Sequence, residues 1–392
     1  MNLSPLMAFR AATSCMTDPS RVLDRSLRML GGVCGLVLCG ILTAGLWPFH
    51  VPRNDVAWLP EGNGLAFGPH GSIVSAGAFE SRNTSVDATC SIELWVRSAM
   101  DGGSGAILAF YQPSDFSVPL ALRQSLSDLR VEVGRQDGGH SHVYLPRVFL
   151  SQTPLFITIT SGQQGTTAYV DGREFERYAT YHIRQEDLSG KLVVGNTPSG
   201  THEWSGRLLA LAVYNQELSP GEVFEHYAKW TMHKVSDLKE SGHTVAVYAF
   251  NEGTGSVAHN QVDPGTDLLI PSKFFVVHEK FLTWPWNEFY PGRSYVKNVA
   301  VNIGGFIPLG FFFCAYLSAV RMTSRPALVT IIVGFVVSLT IEVLQSFLPT
   351  RDSGLTDVIT NTVGTVVGTM LYQSFAALAL TKFVSQSRNV ES

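Results

Sequence analysis

Four stretches of the chain are almost unbroken in apolar residues, and a long stretch between the first two alternates instead. The apolar runs cover about Met29 to Trp47, Val299 to Val320, Ala327 to Leu348 and Val358 to Leu380; the first and last are uncharged, whereas the third contains Glu342. Each approaches the ~20 residues that a helix needs to cross the hydrocarbon core of a bilayer, so four membrane spans are predicted. The first run is longer than the roughly 7–15 apolar residues of a signal peptide, and no small-x-small cleavage site follows it. "LVLCG" around Cys39 has Val37 and Leu38 where a lipoprotein cleavage box needs smaller residues. An uncleaved anchor is expected.

Arg10, Arg21, Arg25 and Arg28 precede span one, Arg321 and Arg325 join spans two and three, and Lys382 and Arg388 follow span four. Four crossings put all three groups on one side, and basic loops mark the cytoplasmic face. Both termini are therefore expected in the cytoplasm. The segment from about 48 to 296 and the hinge 349–356 are expected outside.

In the outer segment the hydrophobic period falls to two. "SIELWVRS" alternates Ile92, Leu94 and Val96 with Ser91, Glu93 and Arg97, the pattern of a half-buried strand. "FITIT", "KLVVG" and "LLALAVYN" are further strand-like runs, and "TAYVDGREF" sets Asp171-Gly172 between two of them as a hairpin turn. "LSPGEVFEHY" carries Ser219, Pro220 and Glu222 in the order of a capped helix start. Many short strands with one late helix predict a two-sheet sandwich. "KFFVVHEKFLTWPWNEFYPGRSYVK" then gathers Phe274, Phe275, Phe281, Trp284, Trp286, Phe289 and Tyr290 just before span two. Rings with a polar edge settle at the headgroup level, so an interfacial belt is expected.

Composition narrows the function classes. Only 15% of the 392 residues are charged and the net charge is −4, which gives no basic face for nucleic acid. Cys15, Cys34, Cys39, Cys90 and Cys314 are scattered without metal or disulfide spacing. Asp137 and Asp171 are acidic loop residues open to calcium, but no ligand-rich calcium loop surrounds them, and Asp171 reads first as turn chemistry. Asn83-Thr84-Ser85 is a glycosylation triplet to which no role is assigned. No metal or other cofactor is expected. No nucleophile triad, P-loop, H-E-x-x-H or dinucleotide glycine loop occurs in a suitable context.

The chemistry-bearing residues lie in the spans. Glu342 and Gln345 share a face at the outer end of span three. Asp357 and Asn361 share one at the outer start of span four, continued by Gly364 and Gly368, a spacing that lets a second helix approach closely. Asn302 of span two lies at the same depth, with Arg351 and Asp352 on the loop above and Pro308 expected to kink span two. A carboxylate in the bilayer is costly by about 2.5–3.5 kcal/mol on insertion scales, so it faces a cavity or a partner. Either these residues form an internal clasp, with Glu342 or Asp357 paired to Arg351 and Asn302 and Asn361 bonded across helices, or they line a polar pocket. Such a pocket would hold an anionic or amide-bearing headgroup, or supply a catalytic acid and base.

Two resemblances follow from these motifs. "AYVDGREF", "LVVGN" and "WSGRLLALAVYNQELSPGEVFEHY", with "LAFGPHGSIV" and "CSIELWVRS" before them, resemble a laminin-G-like, concanavalin A-like jelly roll over roughly 58–230. "AVYAFNEGTGSVAHN" (246–260) is similar to a strand usually found near the start of such domains; here it either supplies a last strand or leads back to the membrane. Members of that superfamily often bind glycans or proteins. "NIGGFIPLG" (302–310) with Gly310, "EVLQ" (342–345), "PTR" (349–351), Asp357, Asn361, Gly364 and Gly368, preceded by "LWPF" (46–49), resemble the VanZ-like family, whose founding member is associated with resistance to the glycopeptide teicoplanin.

The expected architecture is an α + β multidomain chain: a four-helix VanZ-like bundle with the sandwich inserted between helices one and two. Expected segments are a cytoplasmic tail 1–28, span one at 29–47, the sandwich at 58–230, a connecting and interfacial segment at 231–295, spans two to four at 296–381 and a tail 382–392. The expected setting is a bacterial cytoplasmic (inner) membrane. The sandwich would bind an envelope glycan or a protein partner, and the bundle would bind or sense an envelope headgroup. An intramembrane enzyme acting on a lipid-linked precursor and a structural assembly factor stay open.

Overall fold

A computed structural model describes residues 19–80, 89–99, 103–135, 139–232, 238, 242–277, 281–289, 292–351 and 353–390. Arg10, Cys15, the Asn83 triplet, Asp137, Tyr290 and Asp352 lie outside these. The chain forms two compact units, one of Val51–Glu279 and one of Met1–His50 with Lys280–Ser392.

The first unit is a sandwich of two antiparallel sheets. Its opening strands are β1 (Val56–Trp58), β2 (Leu65–Phe67), β3 (Ile73–Ser75), β4 (Cys90–Ser98) and β5 (Ser104–Tyr111). β6 (Leu120–Ser125), β7 (Asp128–Gly134), β8 (His140–Leu145), β9 (Leu155–Gly162), β10 (Gly165–Val170) and β11 (Arg173–Tyr178) follow. β12 (Lys191–Val194) and β13 (Gly206–Tyr214) precede a helix, Pro220–Thr231, and then come β14 (Thr244–Tyr248), β15 (Val257–Ala258) and β16 (Leu268–Leu269). One sheet runs β1-β2-β13-β4-β9-β10-β11 with β14 also on β13; the other runs β15-β16-β3-β12-β5-β6-β7-β8. Inward residues such as Ile92, Leu94, Phe110, Leu122, Ile157, Leu192 and Leu211 interleave into one core between them.

The local signals explain several of these elements. Asp171 and Gly172 both take positive φ, at 50° and 74°, and turn β10 into β11. The Asp171 carboxylate accepts from the Phe156 N–H at 3.0 Å, so its charge serves the turn. Ser219 and Glu222 form the reciprocal cap of the helix Pro220–Thr231. The segment at 246–260 supplies β14, the last strand beside β13, and β15 and β16 extend the second sheet, so the sandwich continues past residue 230.

Two readings of the pattern are corrected. Ser91 and Glu93 are each only 1% exposed, although alternation puts them outside. The helix Pro220–Thr231 lies over that face of β4, where Phe156, Tyr169, Tyr214, Val223 and Trp230 make a second core. Glu93 there accepts from Tyr214 Oη at 2.8 Å and Trp230 Nε1 at 3.1 Å and faces His226 Nδ1 at 3.0 Å, so the buried carboxylate ties helix to sheet. Phe274 is no belt residue: it is buried within the sandwich unit, its ring centroid 5.2 Å from that of His70. Phe281, Trp284, Trp286 and Phe289 are exposed in the helical unit, with the two indoles stacked at 4.8 Å.

Asp187 gives the sandwich a pH dependence. Burial pushes its carboxyl from 3.8 up to about 6, against the pull of the Arg184 N–H donated to it. The folded pKa lies above the unfolded one, so Asp187 contributes fully below about pH 4 and its contribution is lost as pH rises through about 6. One pKa unit is worth about 1.4 kcal/mol. Asp187→Asn keeps the acceptor and should stabilise the protein at pH 7.5 by up to about 3 kcal/mol, with no gain at pH 4. Melting curves at the two pH values read this directly; equal effects at both would rule it out.

Candidate membrane-embedded binding site

The second unit contains α1 (Pro19–Leu46), the already introduced sandwich helix being α2, then a short α3 (Pro285–Glu288), α4 (Arg293–Val320), α5 (Pro326–Gln345) and α6 (Leu355–Val390). Among the described residues, four helices hold stretches long and apolar enough to cross a membrane: Asp24–Leu46, Tyr295–Val320, Pro326–Gln345 and Leu355–Ala379. α4 runs on past Pro308 without interruption.

This unit keeps small and polar residues inside. α5 buries Thr330, Gly334, Ser338 and Glu342 at four-residue intervals, which is one helix face, while Leu328, Ile332, Phe335 and Val336 are exposed. α6 buries Asn361, Thr365 and Thr369. The glycines set the helix spacing: a Cβ at Gly310 would lie 2.2 Å from the Thr365 carbonyl oxygen, and one at Gly364 or Gly368 would lie 2.2 Å from that of Ile303 or Ile307. Packing between small residues is how helices associate where lipid supplies no hydrophobic drive.

The polar residues singled out in the spans meet in part. Asn302 Nδ2 donates to Asp357 Oδ1 at 2.8 Å, joining α4 to α6. Asn361 Nδ2 donates to Ser338 Oγ at 2.9 Å, joining α6 to α5, and Gln345 Nε2 donates to the Gly45 carbonyl at 2.7 Å, joining α5 to α1. Glu342 Oε2 accepts from the Gly354 N–H at 2.9 Å, just before α6. Of the clasp that the sequence offers as one alternative, the ion pair with Arg351 is not formed. Arg351 is exposed and donates to the Trp47 carbonyl, at 3.1 Å from Nε, instead of pairing with Glu342 or Asp357. Asn302 and Asn361 do bond across helices, to Asp357 and to Ser338.

Sequence reading missed Glu288. Its Oε2 accepts from the Thr356 N–H at 3.1 Å, in the first turn of α6, where the positive end of the helix dipole favours a carboxylate. A carboxylate next to aromatic belt residues was its signal. Ser338 carried a signal too, the four-residue spacing to Glu342.

Asn302, Glu342, Gln345, Asp357 and Asn361 line one cavity of about 180 Å³, with walls from Ala44, Gly45, Gly305 and Phe306. Two carboxylates face it and its lining holds no Lys, Arg or His. Asn361 and Gln345 are 6% and 8% exposed, and the carbonyl oxygen of each side chain has no hydrogen-bond partner. A buried acceptor without a donor costs about 1–3 kcal/mol, so the cavity is short of donors. Among the described residues no group of three or more His, Cys, Asp or Glu side chains is arranged to hold a metal ion.

Four membrane-capable helices and an inserted two-sheet sandwich mark a membrane protein. Residues 244–377 match the VanZ/LLP1 family model, and residues 74–224 match that of the Concanavalin A-like lectin/glucanases superfamily. The chain thus combines a VanZ-like part with a laminin-G-like, concanavalin A-like part. No curated protein is matched.

Similar solved structures include a candidate carbohydrate binding protein from Bacteroides ovatus ATCC 8483, at 11% identity over 58% of this chain and 62% of that one, TM-score 0.38. The receptor binding domain of the botulinum neurotoxin C/D mosaic serotype aligns at 15% identity over 45% of each chain, TM-score 0.33. That of botulinum neurotoxin D aligns at 14% identity over 46% of this chain and 47% of that one, TM-score 0.33. The chain spans 45% of the length of the first of these toxin domains.

Proposed function

We propose that the helical unit binds the headgroup of an envelope lipid or lipid-linked precursor through hydrogen-bond donors that the ligand supplies, and that the sandwich binds envelope glycan. The observation that carries the first part is the pair of unpartnered, buried acceptors, Gln345 Oε1 and Asn361 Oδ1, beside two carboxylates in one cavity. Such a lining favours an amine-, amide- or hydroxyl-bearing group and disfavours an anionic one, because nothing in it neutralises negative charge. A volume of about 180 Å³ suits a headgroup, being below the roughly 300–1,000 Å³ of pockets for drug-sized ligands. The glycan reading of the sandwich is supported by its family match.

The test is mass spectrometry of lipids co-purifying with the wild type and with Glu342→Gln, together with melting after addition of phosphatidylethanolamine or phosphatidylglycerol vesicles. Retention and stabilisation by the amine-bearing lipid, lost in Glu342→Gln, are expected. Preference for phosphatidylglycerol, or identical lipid content in both proteins, would overturn the reading.

The basic residues flanking the spans support a cytoplasmic-membrane orientation with both termini inside and the sandwich outside. A cysteine placed at Gly139 should then react with an impermeant reagent added outside, and one at Thr323 should not. The reverse pattern would invert the topology.

A further inference from the structure

A second concavity, of about 230 Å³, lies wholly within the sandwich unit and shares only Trp230 with the Glu93 cluster described above. It opens on the outer face of the sheet built around β13. Val96 and Leu208 point into the core, fully buried, so their strand neighbours Trp95, Arg97 and Arg207 come out on the other face and are partly or fully exposed. Arg97 and Arg207 are direct cross-strand partners, and both line the concavity with Trp95, Trp230, Asn63 and Glu61. The register slips between Leu208 and Ala210, so Leu209 is an extra residue in β13 just beyond Arg207. Such bulges bend a strand and re-aim its side chains.

The electrostatics of this spot are unsatisfied. Like charges directly opposite on paired strands repel, and among the described residues neither Arg97 nor Arg207 has an ion-pair partner. Glu61 is exposed and offsets only one of the two positive charges. An anion set between the guanidiniums relieves the repulsion and can take paired N–H donors from each. The Trp95 indole supplies a flat apolar surface beside them, and the Asn63 amide can donate to and accept from hydroxyls. A volume of about 230 Å³ takes a single ring and not a length of polymer.

We infer that this concavity is a subsite for an acidic saccharide unit, its carboxylate or phosphate held by Arg97 and Arg207 and its ring lying against Trp95. The inference rests on the glycan-binding reading of the sandwich and adds to it a place and a charge.

The experiment is calorimetric titration of the full-length protein in nanodiscs with D-glucuronate, D-glucose 6-phosphate and D-glucose. At least one acidic sugar should bind at least tenfold more tightly than glucose, and more weakly as salt is raised; whichever acid binds better separates a carboxylate ligand from a phosphate one. The double variant Arg97→Gln/Arg207→Gln should lose at least tenfold while melting like the wild type. If that variant does not fold, Asn63→Asp, which brings a negative charge to the same wall, should produce the loss. Saccharide binding that survives these changes, or equal binding of glucose, overturns the acidic subsite and leaves the glycan reading standing. No binding of the three probes, nor of any of a panel of polysaccharides, overturns both.

Discussion

Gly364→Ala and Gly310→Ala should each remove most of the folded helical unit. A methyl at Gly364 would sit 2.2 Å from the Ile303 carbonyl oxygen, and one at Gly310 would sit 2.2 Å from that of Thr365. The obstacle in both cases is backbone of the neighbouring helix, which no rotamer change can move aside. α4 and α6 would have to separate by more than an ångström along their whole contact. Overpacking of a tight site costs about 1–3 kcal/mol and occasionally more; a rigid carbonyl obstacle belongs at the upper end. Gly304 is the internal control, because a Cβ there meets nothing within 4 Å. Gly304→Ala should be neutral or stabilising, as alanine is favoured over glycine in a helix by about 0.8–1 kcal/mol. Detergent melting and size-exclusion recovery of the three variants decide it. Equal behaviour of Gly364→Ala and Gly304→Ala would show that the small-residue seam does not hold these helices together.

The seam also shows what the sequence could and could not reveal. The spans were legible because hydropathy is a local property, and the glycines at 364 and 368 were legible because their spacing is itself a packing rule. Asp171-Gly172 and Ser219-Glu222 were legible for the same reason, since turns and caps are decided within a few residues. Glu93 was not, because what buries it is Trp230 and His226, more than a hundred residues away in sequence. The Thr330–Ser338 stripe of α5 was passed over because small polar residues barely lower a hydropathy average. For Arg351 the charge pattern offers a carboxylate as one alternative, because charges tend to pair. In the structure a backbone carbonyl near the end of α1 takes its donors, an option that no charge pattern displays. All five of the polar residues picked from the spans nevertheless line one cavity, because residues at matching depth on adjacent helices have few other places to go.

The contacts within that cavity set the Asn302–Asp357 pair, a joint between helices, apart from the proposed headgroup site. Asn302 and Asp357 satisfy each other across α4 and α6, so removing the donor strands a carboxylate. Hydrogen bonds to charged groups contribute about 1.5–3 kcal/mol, and the stranded group adds its own desolvation. Asn302→Leu should therefore destabilise by about 2–3 kcal/mol. Asn302→Leu combined with Asp357→Leu should recover most of that loss, since replacing both partners with apolar groups leaves nothing buried and unpaired. Glu342 should behave differently. Gln at this position keeps an oxygen for the Gly354 N–H and removes a charge from a buried site, so Glu342→Gln should melt at or above the wild-type temperature. It should nevertheless lose the bound headgroup, and the loss should not be restored by any change at Asn302 or Asp357. Asn361→Leu should share that phenotype in lipid content, because it deletes the unpartnered oxygen, but should melt lower, because Ser338 loses its donor. The measurements are melting temperature and lipid content on the same preparations. If Asn302→Leu melts like the wild type, the joint is no joint. If Glu342→Gln unfolds the protein while the double apolar variant stays folded, the carboxylate at 342 is structural and the receptor reading of the cavity fails.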